Sequence, residues 1–325
     1  MMKKSKSMIV LFLIAALWAT ACAPAAVLQK VQETEAATTA PAAEEEEQAA
    51  LVFTDDLGNT LQLAQYPQAI VSLSPSMTEM LFALGAGQQL AGRDEMSTFP
   101  EAALEVASIG AMWGDLPVEA ILAAEPDLVL AAEIISPETV SALQELGLTV
   151  YWQANPDTFE DLWDNLREIA ALTGHMEEAE TLVSDLAARV SAVQTAVAGA
   201  ETTPVVFYEL DATDPSNPWT TGSGTFIDYI ITRAGGVNAA AALQGDYAQM
   251  SSEALITVDP DVILLGNALY GMNAESVTAR AGWDAITAVK NAAIYAIDPN
   301  ILSVPGPRLV DGLEAVAMLL HPELF

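Results

Sequence analysis

The chain has 325 residues, long enough for a sizeable buried core, and its 52% of hydrophobic residues is a globular composition. Its 44 acidic residues against 11 basic ones leave a formal net charge of −33, a field that repels phosphate backbones and argues against a nucleic-acid partner. One cysteine excludes an intrachain disulfide, and two histidines, His175 and His321, exclude chemistry that needs a histidine cluster.

At the N-terminus, Lys3, Lys4 and Lys6 precede an apolar run at 8–18 that is too short to span a bilayer comfortably. Ala19-Thr20-Ala21 follows, and the sole cysteine, Cys22, stands where a signal peptide is cut. The pattern resembles the bacterial lipoprotein signal, in which that cysteine is lipidated and becomes the first residue. Ala19 departs from it, because leucine is usual at the third position before the cysteine. An ordinary secretory signal with an incidental cysteine is the alternative. Residues 23–50 are rich in Ala, Glu, Thr and Pro, include the run Glu44-Glu45-Glu46-Glu47, and lack large apolar side chains after Val31. They read as a flexible tether. The expected arrangement is a signal segment at 1–22, a tether at 23–50 and a globular body outside the cytoplasm, held to the membrane only through Cys22.

In the body, short apolar runs alternate with helical patterns. Strands are expected at 69–73, 128–132, 149–153, 205–210, 262–265 and 293–297. Helices are expected at 78–84, 118–124, 137–146, 225–234, 252–258 and 310–320. This alternation predicts an α/β fold with parallel sheets and helices on their faces. Between the two groups, Phe159, Leu162, Leu166, Ile169, Leu172, Leu182, Leu186 and Val190 keep helical spacing, with Gly174 as a break or bend. That segment is a stiff connector. The two groups also repeat each other: Glu119 precedes Pro126-Asp127 and a buried strand, and Glu253 precedes Pro260-Asp261 and another, in the same register. The expected architecture is an N-terminal lobe at 51–156, a connecting helix at 157–200 and a C-terminal lobe at 201–325. A cleft between two such lobes is a favoured place for a small ligand. A common helix–turn–strand unit repeated by chance is the alternative.

Four segments carry a resemblance. Ser74-Pro75-Ser76-Met77-Thr78-Glu79, the Glu…Pro-Asp-Leu-Val unit, the stretch from Asn217 to Asp228, and Pro305-Gly306-Pro307-Arg308 together resemble the family of periplasmic binding proteins for iron complexes and cobalamin. The resemblance covers the whole of 51–325. It implies two Rossmann-like lobes joined by one long helix with little hinge motion, no resident cofactor, and delivery of the ligand to the permease dimer of an ATP-driven (ABC) importer with its ATPase. It also implies that one exposed glutamate on each lobe, Glu119 and Glu253, pairs with arginines of the permease. The rival role for both is a favourable carboxylate in the first turn of a helix.

Candidate ligand contacts are Trp113, Trp219, Tyr247 and Tyr270, flat side chains in loops that suit a corrin-like or other conjugated ligand. Each could instead pack within its own lobe, as Trp152 and Trp163 are expected to do. Basic residues are scarce: Lys3, Lys4, Lys6 and Lys30 precede the body, leaving seven. Among these, Arg93 and Arg308 are candidates to clamp an anionic group of the ligand, or else to pair with acidic neighbours. The glycine-bearing loop at 220–225 lacks the lysine of a phosphate-binding loop and reads as a cleft wall. The expected ligand is a cobalamin-like corrinoid or an iron complex, siderophore or haem; haem would use a Tyr or His on its iron, which Tyr247 or Tyr270 could supply. An enzyme is disfavoured because neither histidine accompanies a nucleophile, and a bare zinc or manganese site because histidines are too few. A sensor or adhesion module of the same fold stays open.

Overall fold

The computed structural model describes residues 50–112 and 116–325. The signal segment with Cys22, the tether up to residue 49, and Trp113 lie outside the described residues. The described residues form one compact unit. It opens with an antiparallel hairpin of β1 (Leu51–Thr54) and β2 (Thr60–Leu63), closed by the Asp55 carboxylate, which accepts from the Leu57 and Asn59 amides. The first lobe follows: β3 (Ile70–Ser72), α1 (Pro75–Ala83), β4 (Leu90–Asp94), β5 (Ser108–Gly110), α2 (Val118–Ala123), β6 (Leu128–Ala132), α3 (Pro137–Glu145) and β7 (Val150–Gln153). Its five strands pair in the order β5-β4-β3-β6-β7, all parallel.

Helices α4 (Phe159–Thr173) and α5 (Met176–Val197) connect the lobes. The second lobe contains β8 (Val205–Glu209), β9 (Trp219–Thr221), α6 (Phe226–Arg233), β10 (Val237–Asn238), β11 (Tyr247–Gln249), α7 (Ser252–Val258), β12 (Val262–Leu265), α8 (Ala274–Thr278), α9 (Thr287–Lys290), β13 (Ile294–Ala296), α10 (Asn300–Ser303) and α11 (Leu309–Leu320). Its main sheet is parallel in the order β10-β8-β12-β13, while β9 and β11 form a separate antiparallel ribbon.

The central strands β6 and β12 are buried on both faces, which is why they read as unbroken apolar runs. Side chains alternate between the two faces of a sheet. Leu128, Leu130, Val262 and Leu264 therefore join one large core with α1, α4, α5, α6 and α11. Val129 and Ala131 join a second core under α2 and α3, and Ile263 and Leu265 a third beneath Trp283. The large core runs through both lobes and the connector without interruption. Trp152 and Trp163 are buried within these cores.

In place of the single connecting helix expected at 157–200, the connector is two helices, α4 and α5, parted at Gly174 and His175. Gly174 takes φ 85°, a left-handed conformation open to glycine, and its amide closes the last turn of α4 on Ala170. Thr158 and Asp161 form a capping box at the other end of α4. Helix α5 is fixed to α11 by Arg189, whose guanidinium bonds Glu314 and Asp311.

The sequence repeat has a matching conformation in both lobes. The residue before each proline has positive φ, 46° at Glu125 and 52° at Asp259. Each following aspartate then turns back onto the strand beside it. Asp127 accepts from the Gln68 and Ala69 amides at 2.8 and 3.0 Å, and Asp261 accepts from the Val205 amide at 2.8 Å. The Pro-Asp pair thus ends a helix and aligns two parallel strands in each lobe.

Candidate functional site

Ligands of open parallel sheets bind outside the carboxyl ends of the strands. In the first lobe those ends carry Ser74 after β3, Glu133 after β6 and Asn155 after β7. All three line a cavity of about 500 Å³ whose opposite wall is Tyr247 with Ser303, Val304 and Pro305 of the second lobe. A neighbouring cavity of about 270 Å³ shares Glu133, Asn155, Tyr247, Ser303 and Pro305, and extends to Asp157, Asp246 and the start of α6. The two form a cleft between the lobes.

The polar lining is held by local bonds. Ser74 caps α1 by accepting from the Met77 amide, and Pro75 begins the helix where a missing N–H costs nothing. The Ser74 and Ser76 hydroxyls lie 3.0 Å apart, and Thr78 donates to the Ser72 hydroxyl beneath them, which donates to the Ser74 carbonyl. The Glu133 carboxylate accepts from the Asn155 amide at 3.0 Å, tying the ends of β6 and β7 together. On the second lobe, Thr225 caps α6 and Asp228 accepts from the Gly224 amide, so the helix ends at the cleft are satisfied by the protein's own oxygens. Burial, then the charge of the adjacent Asp246, raises the Tyr247 phenol above its usual range.

The aromatic candidates separate. Tyr247 lines both cavities and is 54% exposed. Trp219 stands opposite Gln249 while Tyr247 stands opposite Thr221, so Trp219 and Tyr247 share one face of the β9–β11 ribbon. Trp219 is 41% exposed, and the two cavities do not reach it. Tyr270 sits on a short 3₁₀ turn after β12 and is 83% exposed, also away from the cavities.

Neither arginine candidate offers a free guanidinium to the cleft. Arg93 is buried and donates to the carbonyls of Ala103 and Asp94, holding the loop after β4. Arg308 makes a two-pronged ion pair with Glu79 of α1, its Nε 2.9 Å from one carboxylate oxygen, and its guanidinium lies 4.0 Å over the Phe99 ring. This joins the two lobes beside the cleft, since Glu79 and Phe99 belong to the first and Arg308 to the second. Burial raises the Glu79 carboxyl above its ordinary range, with the Arg308 hydrogen bonds and charge opposing the shift. Glu119 and Glu253 are exposed, each the second residue of its helix, at matching places of the repeat. Among the described residues, neither carboxylate has an ion-pair partner. No group of three or more potential metal ligands is found among the described residues. No helix among them is long and apolar enough to cross a membrane.

A model of the family described as periplasmic binding protein matches residues 70–301. The chain belongs to that family. Its relatives include a Bacillus subtilis protein described as an uncharacterized ABC transporter substrate-binding lipoprotein, 31% identical over 280 residues, which cover 84% of this chain and 87% of that one. A cobalamin-binding protein of Halobacterium salinarum is 28% identical over 82% of this chain and 73% of its own. Among solved structures, the periplasmic heme-binding protein of Roseiflexus sp. RS-1 in apo form superposes with a TM-score of 0.71 at 28% identity, covering 79% of this chain and 99% of that one. The parallel sheets, the helical connector and the interlobe cleft of this periplasmic binding protein are features of a solute-binding fold, and the family consists of solute-binding proteins rather than enzymes.

Several lining groups of the periplasmic binding protein escape a reading of residue types. Glu133, Asn155 and Ser303 are ordinary surface residues in sequence, and only the topology brings them to one cavity. Their one available signal is position, one residue past an expected strand end for Glu133 and two past for Asn155. Glu79 closes the Ser74–Glu79 segment, yet its partner Arg308 is 229 residues away.

Proposed function

We propose that this protein is the extracytoplasmic, lipid-anchored substrate-binding component of an ABC importer that captures a cobalamin-like corrinoid or an iron complex. The observation that carries the proposal is the interlobe cleft at the carboxyl ends of β3, β6 and β7, walled by Tyr247 and bordered by hydroxyl, amide and carboxylate groups. Tyr247 offers a flat apolar face to a macrocycle. Asn155 and Ser303, both exposed, offer hydrogen bonds to its periphery. Trp219, on the same ribbon face as Tyr247, and Trp113 are the further aromatic contacts of this proposal. The names of the relatives support this range of ligands, and the description of the Bacillus subtilis relative as a lipoprotein supports anchoring through Cys22. Glu119 and Glu253, exposed and symmetric, are the docking carboxylates toward a two-fold permease.

The experiment is equilibrium dialysis of the purified protein against cyanocobalamin, ferric haem and a ferric hydroxamate, read by absorbance. Saturable binding of one ligand per chain is expected. Binding of none at ligand concentrations of about 100 μM, well above the range expected of a capture protein, refutes the ligand class. For the anchor, Cys22→Ser should abolish lipid labelling and release the protein from membranes; unchanged fractionation refutes it.

A further inference from the structure

The charge of the cleft is one-sided. Three carboxylates, Glu133 from the first lobe, Asp157 just before α4 and Asp246 from the second lobe, line the same cavity. No Lys, Arg or His is among the described residues lining either cavity. The seven basic residues of the body are engaged elsewhere. Arg93 is spent on backbone carbonyls and Arg308 on Glu79. Arg167 pairs with Glu180, Arg189 with Glu314, and Arg280 with the buried Glu209. Lys290 donates to the Ala285 carbonyl, and Arg233 lies 4.8 Å over the Tyr229 ring. The two helix starts at the cleft are capped by Ser74 and Thr225, so their amides are not vacant for an anion.

We propose that Glu133, Asp157 and Asp246 are specificity-determining residues that bias the cleft toward uncharged or cationic chelates and against anionic ones. This rests on the reading of the cleft as the ligand site. A low-dielectric cleft lined by one sign of charge focuses its field on whatever enters. At an effective dielectric between those of protein and water, a ligand anion about 8 Å from one such carboxylate binds roughly fivefold more weakly than its neutral isostere. The peripheral carboxamides of a corrinoid avoid that penalty. They can donate N–H groups to Glu133 and Asp246 while accepting from Ser303 and Asn155. The two propionates of a haem meet the penalty twice, with no guanidinium to offset it. The raised Tyr247 phenol acts in the same direction, since a phenolate ligand to ferric iron must first lose its proton beside Asp246.

The test compares related ligands of different charge, and the salt dependence separates the charge effect from lost hydrogen bonds. The intact protein is titrated with cyanocobalamin and with the same corrinoid after hydrolysis of one and of three peripheral carboxamides to carboxylates. A cationic ferric hydroxamate and its succinylated anionic form make a second pair, and ferric haem a single anionic probe. In the class that binds, each added negative charge should weaken binding by about fivefold at 20 mM salt and by much less at 500 mM, where the screening length falls below the separation. Glu133→Gln keeps the acceptor for the Asn155 amide, and with Asp246→Asn it should recover most of the loss. The proposal is overturned if related ligands of different charge bind equally, if haem is the tightest ligand, or if the variants leave the ratios unchanged. If no ligand of any charge binds, the identification of the ligand class has failed, and the selectivity falls with it.

Discussion

Replacing Arg308 with alanine tests whether the two lobes are held by the ion pair beside the cleft. The Arg308 side chain is 15% exposed and that of Glu79 only 3%, so the pair is largely withdrawn from water. Arg308→Ala removes both hydrogen bonds to Glu79 and the contact with Phe99, and leaves a buried carboxylate alone. Breaking one partner of a buried pair costs about 3–5 kcal/mol, and the partial exposure of Arg308 places the expectation at the lower end, about 3 kcal/mol. At about 2 °C per kcal/mol for a body of this size, Tm should fall by about 6 °C. The sign of the pH dependence follows from Glu79. Its folded pKa is already raised by burial, and losing Arg308 removes the influence that opposes the rise. A raised carboxyl penalises the fold where it is ionised, above its folded pKa. The penalty is relieved as pH falls through that pKa toward the ordinary carboxylate range of the unfolded chain. The deficit of Arg308→Ala should therefore be full at pH 7.5 and smaller at pH 5. Thermal unfolding followed by circular dichroism at both pH values measures it. Replacing both partners, as Glu79→Met with Arg308→Met, should cost much less than Arg308→Ala alone. A deficit under about 1 kcal/mol at pH 7.5, or one that grows on acidification, refutes the reasoning.

Three further expectations follow from the repeat and the connector. Glu119→Ala and Glu253→Ala should each leave ligand affinity intact and weaken permease docking, with uptake nearly abolished in the double variant; uptake equal to wild type means both are only first-turn carboxylates. Asp127→Ala loses two bonds to the amides that lead into β3, and Asp261→Ala loses one to the first amide of β8. At about 1 kcal/mol for each, the first should melt lower than the second, and the reverse order contradicts the strand-aligning role. Because one core passes through both lobes and the connector, solution scattering should show little change in radius of gyration on ligand binding, and a large compaction contradicts this.

How much of this periplasmic binding protein is legible in its sequence depends on whether the determining contacts are local. The strands at Leu128–Ala132 and Val262–Leu265 and the helix at Ser252–Val258 coincide with their expected bounds, because continuous burial and a serine cap leave a plain pattern. The Pro-Asp turns are equally plain. Strand β4 is not: Gly92, Arg93 and Asp94 are polar or small and break the apolar pattern, and they are satisfied by Ser97 and Ala103 of the loop that follows. The β9–β11 ribbon pairs residues more than 20 apart and has no periodicity of its own. The same limit governs the cleft. A sequence shows that Arg308 is a rare cation but not that Glu79 already holds it. It shows many carboxylates but not that Glu133, Asp157 and Asp246 meet.

The central claim is that the interlobe cleft is where a solute binds, and filling the cleft tests it most directly. Ser303 is exposed and lines both cavities, so Ser303→Trp places an indole in the cleft. The measurement is a calorimetric titration of wild type and variant with the bound chelate, with Tm recorded for both. One ligand per chain in wild type, at least about tenfold weaker binding in the variant (1.4 kcal/mol) and an unchanged Tm is the predicted result. Equal affinity in the two proteins contradicts the account.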